Sequence, residues 1–463
     1  MTIKTEQIEG REVSNLNLFD VFSLGFGGAV GAGIFVLTGL AIQATGRSVI
    51  LAVVCAVIFM VLANFFSILL ASMFKLTGGD YSQKALLFNP LMTGLTGYLN
   101  FIFACSIAMY AIAIVQYGSM IFPQIKVYDK WIEIAIISFF FLTTIRGSKF
   151  MSQVNNVMTI ILMGALGLFI CFGLPEIDYS HYFTNEPFFK HGFTGFISAV
   201  ALMSFACQGI TQGPISVATV TRDSLRTIPK AMGLVALALA FFYGFITLVA
   251  SGVLPTHDVA GKNLSLVAQA IFPHWVFVAF VLAGAVFAIA TSLMSMITMV
   301  RYPILKVAQD GWLPGVFSKT TQEGYPYVIY GVYYLIAICP ILFNLSLDVL
   351  VSAIMIPLML MNVYLNIACL KMIKDYPRRW QQSILHMPKP CIYLISALAT
   401  AASAVVCYQL FVGLTSFQKI LMVVVSLALY IFAYVRIKAG HVDLSKLEAE
   451  RQEILIDLDE TIG

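Results

Sequence analysis

Apolar runs of about 20 residues, each long enough to cross ~30 Å of hydrocarbon as a helix, recur from end to end of this 463-residue chain. Only 11% of residues are charged and the mean hydropathy is +0.90, so the sequence predicts an all-α polytopic membrane protein. Twelve spans are expected: 18 to 44, 48 to 74, 91 to 122, 131 to 146, 153 to 174, 193 to 220, 229 to 254, 273 to 306, 325 to 343, 346 to 373, 389 to 412 and 415 to 437. The fourth, Trp131 to Arg146, is the shortest. The first residues carry Lys4, Glu6, Glu9, Arg11 and Glu12 and no apolar run ending in a small-residue cleavage site, so no signal peptide is expected.

Charge placement tests this register. With both termini cytoplasmic, 21 of the 27 Lys and Arg residues fall inside, and Arg47, Lys126, Lys130, Lys190, Lys262 and Lys419 fall outside. That is the positive-inside pattern. The basic residues are spread over separate loops, so the net charge of +4 marks topology and no nucleic-acid partner is expected. Asp20, Glu133 and Asp348 lie near span ends, and no acid or base has to sit at mid-membrane, which argues against a relay of buried carboxylates. The six histidines lie in loops, the tail or at a span edge without metal-ligand spacing, and the eight cysteines form no CxxC pair. No metal centre is expected, and the cysteines read as small apolar fillers.

Two interruptions stand out against this apolar background. Gly25 to Gly39 reads GFGGAVGAGIFVLTG, six glycines and two alanines inside the first span. Unpaired backbone groups cost several kcal/mol in hydrocarbon, so a broken helix belongs where it lines a protein or water-filled cavity. Span 6 contains a second interruption, Phe205-Ala-Cys-Gln-Gly209-Ile-Thr-Gln-Gly213-Pro214, where two glycines and a proline loosen the helix. The two breaks are five spans apart, so their helices run in opposite directions. Spans 1 to 5 and 6 to 10 can then be related by a pseudo-two-fold axis in the membrane plane. Each cluster alone also fits small-residue helix packing, and it is the pair that points to a central binding site.

Four motifs add a family resemblance: Gly31-Ala-Gly-Ile-Phe35, Gly78-Gly-Asp-Tyr81, Arg226-Thr-Ile-Pro-Lys-Ala231 and Ala308-Gln-Asp-Gly-Trp-Leu-Pro314. In this order and spacing the chain resembles the amino acid, polyamine and organocation (APC) transporter superfamily over essentially its whole length. The resemblance implies the 5+5 inverted-repeat fold typified by the bacterial leucine transporter. It divides the chain into a cytoplasmic tail (1–17), a ten-helix core (18–373), two added helices (374–437) and a second cytoplasmic tail (438–463). It also implies that a substrate carboxylate rests on the backbone amides of Gly31, Ala32 and Gly33 at a helix N-terminus. The amine would meet carbonyls near Ala29 and around Phe205, Gln208 and Gly209, with Phe205 closing over the substrate.

Departures from the family pattern bear on substrate and coupling. Where many relatives carry an acid after the glycine of span 6, this chain has Thr211, and a further Glu-Glu pair is replaced near Ala218 to Val220. A cationic substrate loses its counter-charge, so a small neutral amino acid is favoured over an amine or polyamine. Gln208 and Gln212 either contact the substrate or satisfy freed backbone groups. A lysine found in span 5 of some relatives is Leu162 here, with Asn155, Asn156 and Thr159 nearby. Span 8 offers Thr291, Ser295 and Thr298 on one helical stripe, and Ser295 aligns with a sodium ligand of the leucine-transporter fold. Hydroxyls of this kind also bond back to their own helix, so sodium symport, proton symport and exchange all stand. Residues 443 to 460 read as an amphipathic helix or a loose tail.

The expectation is a secondary active transporter of the cell membrane, symporter or exchanger, with no reaction catalysed and no cofactor beyond a coupling ion. The alternatives are an amine or polyamine exchanger and a non-transporting amino acid sensor on the same scaffold. The need for an accessory subunit is open.

Overall fold

The structure, a computed structural model, describes residues 16–75, 79–143, 148–179, 182–183, 187–218, 221–321 and 325–456. The charges of residues 1–15, Gly78, Arg146, His181, Val220 and the tail from Asp457 lie outside the described residues, as do the side chains of Ala32, Lys149, Thr298 and Arg301.

Among the described residues the chain is helical, with one isolated parallel bridge between Leu16 and Thr221. The principal helices are α1 (Leu18–Ala29), α2 (Ala32–Thr45), α3 (Val49–Ala63), α4 (Phe65–Met73), α5 (Gly79–Leu87), α6 (Pro90–Ile102) and α7 (Ala104–Ile121). They continue with α8 (Asp129–Thr143), α9 (Ser148–Gly173), α10 (Gly192–Ser204), α11 (Gln212–Ser216), α12 (Ser224–Gly252) and α13 (His274–Ala279). The remainder are α14 (Phe287–Met299), α15 (Tyr327–Leu342), α16 (Leu347–Asp375), α17 (Lys389–Gly413), α18 (Ser416–Lys438) and α19 (Leu444–Ile456).

Nine helical stretches among the described residues are long and apolar enough to cross a membrane. One of them, 33–63, runs through α2 and α3, which Gly46 at φ 72° and a 3₁₀ turn over Gly46–Ser48 separate. Helices α1 and α15 are apolar but shorter, at 12 and 16 residues, and α8 has 15. The first is short because the glycine cluster interrupts it.

Local sequence explains several boundaries. Asn17 caps α1, its Oδ1 accepting from the amides of Phe19 and Asp20 at 2.8 and 3.1 Å while Asp20 Oδ2 accepts from the Asn17 amide at 2.8 Å. Asn89 caps α6, followed by Pro90 in the first turn, where proline's missing N–H costs nothing. Prolines 229, 340 and 357 sit inside α12, α15 and α16, as membrane helices tolerate.

Three irregularities were not legible in the sequence. Asn64 divides span 2 into α3 and α4, its Oδ1 accepting from Asn362 Nδ2 of α16 at 3.1 Å. Phe103 divides span 3. In span 8 a π-helical stretch, Phe280–Val286, joins α13 to α14. Phe280 there packs among Phe35, Phe169 and Phe272, with ring centroids 6.2, 5.5 and 5.2 Å away.

The interior is one large apolar cluster running through the broken helices, with a smaller one between α4, α16 and α17. Along α18 only Ala433 is buried, so that helix lies at the periphery with its apolar side chains outward. The eight cysteines are free thiols, and α19 forms where the amphipathic segment was expected.

Candidate functional site

The two breaks lie against each other. Helix α1 stops at Ala29, Val30 turns at ψ 83°, Gly31 takes φ −142° and ψ −134°, and α2 restarts at Ala32. No side chain caps α2. The amides of its first turn, Ala32 and Gly33 among them, have no acceptor within the helix and sit at the positive end of its dipole. Of the three amides expected to hold a carboxylate, that of Gly31 is committed, donating to Ala29 O at 3.1 Å.

The second break begins at Phe205, where α10 tightens into a 3₁₀ stretch over Phe205–Ile210 before α11 starts at Gln212. Its glycine is required by contact. A Cβ on Gly209 would lie 2.4 Å from both Ala29 N and Gly25 O, backbone atoms that cannot move aside. A Cβ on Gly33 would likewise lie 2.7 Å from Ala206 Cα. The structure therefore brings together Ala29, Gly31, Gly33 and Gly209, with Phe205, Gln208 and Thr211 on the same 3₁₀ segment and its end. These last three are 5%, 4% and 6% exposed. Gln208 Nε2 donates to Met355 Sδ of α16, so its amide is turned to a neighbouring helix.

Three further residues touch the breaks and were missed by sequence reasoning. Tyr243 of α12 is fully buried, and its hydroxyl lies 3.0 Å from Ala29 O and 3.1 Å from Ala206 O, one carbonyl from each break. Ser292 of α14 donates to Gly27 O at 2.6 Å and lies 3.3 Å from Val30 O. The Tyr110 ring borders Gly31 from α7. A repeat of small residues at 288, 292 and 295 was the available signal for Ser292; Tyr243 carried none.

The candidate cation residues divide. Thr291 Oγ1 donates to Phe287 O of its own helix at 2.7 Å, the back-bonding typical of membrane helices. Ser295 instead donates to Asn155 Oδ1 of α9 at 3.2 Å, and Thr159 Oγ1 lies 3.4 Å from Ser23 O. Ser23 Oγ and Asn155 Nδ2 are buried without a partner. This polar nest lies behind α1, since Thr159 Oγ1 is 3.0 Å from where a Gly27 Cβ would stand. Among the described residues, no group of three His, Cys, Asp or Glu side chains is placed to hold a metal ion.

Away from the breaks, the second and fourth motifs meet. Tyr81 donates to Asp310 Oδ2 at 2.7 Å and accepts from Trp312 Nε1 at 2.9 Å. Asp310 Oδ1 pairs with Lys306 at 2.8 Å, Asp80 pairs with Lys84 at 2.6 Å, and Tyr98 donates to Trp312 O at 2.7 Å.

A family model described as amino acid permease matches residues 16–434, a region that includes both breaks and this cluster. The chain belongs to the amino acid permease family. Its relatives are transporters, members of the APC superfamily, and not enzymes. This permease is 25% identical over 338 residues to the branched-chain amino acid permease BcaP of Bacillus subtilis strain 168, covering 68% of this chain and 71% of that one. It is 22% identical over 329 residues to the D-serine/D-alanine/glycine transporter of Escherichia coli K12, covering 67% and 69%. The cationic amino acid transporter 9, chloroplastic, of Arabidopsis thaliana is 26% identical over 339 residues, 66% of this permease and 57% of that protein.

Proposed function

We propose that this permease moves small neutral amino acids across the cell membrane by alternating access around the paired breaks. The observation that carries the reading is the contact of two helix interruptions whose neighbouring side chains, Tyr110, Ala206, Tyr243 and Ser292, are all uncharged. The free amides at the head of α2 suit a carboxylate. The carbonyls of Ala29 and Ala206, near Phe205 and Gln208, suit an ammonium. Thr211 in place of an acid leaves no counter-charge for a cationic side chain. The branched-chain and the D-serine, D-alanine and glycine transporters among its relatives support a neutral substrate.

In this reading residues 18–373 form a ten-helix core of two inverted five-helix repeats and residues 374–437 add two helices, giving twelve spans. The tails 1–17 and 438–463 face the cytoplasm. The nest of Ser295, Asn155, Thr159 and Ser23 is the place for a coupling sodium ion, since its oxygens suit a hard cation.

Purified protein in liposomes, offered labelled neutral amino acids, cationic amino acids and polyamines, tests the proposal. Accumulation of small neutral amino acids is expected. Dependence on an imposed sodium or proton gradient marks symport, and dependence on internal substrate marks exchange. Uptake of polyamines or cationic amino acids alone overturns the substrate assignment, and binding without uptake overturns transport.

A further inference from the structure

A cavity of about 510 Å³ lies away from the breaks, bounded by Lys306, Gly311, Ser318, Arg436, His441 and Lys446 among others. Its basic residues come from three helices and the chain between two of them. Lys306 belongs to the helix Arg301–Gln309, Arg436 to the last turn of α18, and His441 and Lys446 to the chain beyond it and to α19. Among the described residues, no carboxylate lines the cavity.

These bases are held in different ways. Lys306 is paired with Asp310. Arg436 is held differently: its Nε donates to Gly311 O at 3.1 Å, and its Nη2 to Gly311 O and Leu313 O at 2.6 and 2.8 Å. Carbonyl dipoles fix the planar head without neutralising it, and its Nη1 donors are not used by these bonds.

The walls are also fixed. Gly311 sits at φ 84°, and a Cβ there would lie 2.2 Å from His441 O, so the chain leaving α18 passes directly over it. The His441 amide donates to Arg436 O at 3.1 Å, and Val442 is buried beside it. Asp443 then starts α19 by accepting from the amides of Ser445 and Lys446 at 3.0 and 3.1 Å, which places Lys446 at the rim.

We infer that this cavity binds a phosphate group. A pre-oriented guanidinium edge, flanked by His441 and two lysines, matches the several acceptor oxygens of phosphate. A general excess of Lys and Arg on one side of a membrane protein does not explain bases from three helices converging on one space. The cavity sits at the end of a peripheral span, a setting in which basic pockets take anionic headgroups, so the phosphate is carried by a lipid or arrives free in solution. The site is separate from the breaks and does not depend on the transport reading; orientation decides only which leaflet it faces.

The test is native mass spectrometry of the purified full chain with phosphatidylglycerol or phosphatidylcholine, together with a thermal-shift titration with inorganic phosphate. The parent is expected to retain phosphatidylglycerol over phosphatidylcholine, and Lys446→Gln to weaken that retention about fivefold, the worth of one cation near a membrane surface. Arg436→Gln is expected to do at least as much. Because it also removes the bonds to Gly311 and Leu313, exposed Lys446→Gln carries the test if that variant fails to fold. A control substitution at exposed Lys389 is expected to change nothing. Headgroup selectivity without a response to inorganic phosphate identifies a lipid site, whereas a phosphate-dependent rise in the thermal midpoint, lost in Lys446→Gln, identifies a site for soluble phosphate. Equal retention of both lipids with no phosphate response, or parent-like behaviour of Lys446→Gln in both assays, overturns the inference.

Discussion

Tyr243→Phe isolates the tie between the breaks. The side chain is fully buried, and its hydroxyl reaches Ala29 O at 3.0 Å and Ala206 O at 3.1 Å. A hydroxyl has one proton, so it satisfies one of these carbonyls at a time, and the loss is that of one buried hydrogen bond. Leaving a buried acceptor without its donor costs about 1–3 kcal/mol. Removing one oxygen alters volume little, so no large cavity penalty adds to this. If the bond holds the breaks in substrate-ready geometry, the cost appears in transport as a fall in kcat/KM of about 5- to 150-fold, at tenfold per 1.36 kcal/mol. The assay is initial uptake of a neutral amino acid into liposomes, with thermal unfolding measured in parallel. Tyr330→Phe is the comparison, because its hydroxyl makes a similar bond, to Ile297 O at 2.8 Å, outside both breaks. The reasoning fails if Tyr243→Phe transports like the parent, or if both variants lose uptake equally in proportion to lost stability.

Gly209→Ala is expected to abolish substrate binding, measured by ligand-induced thermal shift, because its Cβ would stand 2.4 Å from backbone atoms of α1. Parent-like affinity in that variant would show that the breaks are not held in contact. Tyr81→Phe removes the hydroxyl linking Asp310 to Trp312 and is expected to speed labelling of the buried Cys207 by a small thiol reagent; unchanged labelling would mean that the link latches nothing. Ser295→Ala is expected to raise the sodium concentration needed for half-maximal uptake, and uptake by the parent that ignores sodium removes the basis for that role. The Ser445 hydroxyl and the Lys446 amide hold Asp443 below the usual carboxylate range. Its cap therefore supports α19 fully above the ordinary carboxylate pKa and is lost as pH falls through the lowered value. Amide exchange in the first turn of α19 should rise in that acid window and be insensitive to it in Asp443→Asn.

The interruptions were legible because their cause is local. Glycine clusters and Pro214 weaken a helix wherever they fall, and the structure places the first break at Val30–Gly31 and the second from Phe205 onward. The hydroxyl stripe of span 8 was legible only as a stripe. Periodicity gave Thr291, Ser295 and Thr298, whereas Ser292, one residue along, is the side chain that reaches the first break. Which face of an apolar helix looks inward is a tertiary fact, and an all-round apolar sequence records it poorly. Tyr243 is one tyrosine among 20, and nothing in its neighbours marks it as the one between two carbonyls. The kink at Asn64 and the π-helical turn at Phe280–Val286 likewise depend on partners in α16 and in the aromatic cluster.

The bridge between Leu16 and Thr221 is made of main chain, with the Arg222 amide donating to Leu16 O at 3.1 Å. It therefore fixes distance along the chain and is indifferent to which side chains occupy those positions. Asn17 follows at once as the cap of α1, and Asp223, at φ 46°, precedes α12. Inserting or deleting a single residue between Leu16 and α1 rotates α1 by about 100° about its own axis, since a turn takes 3.6 residues. Every glycine that faces the other break would then face lipid or core.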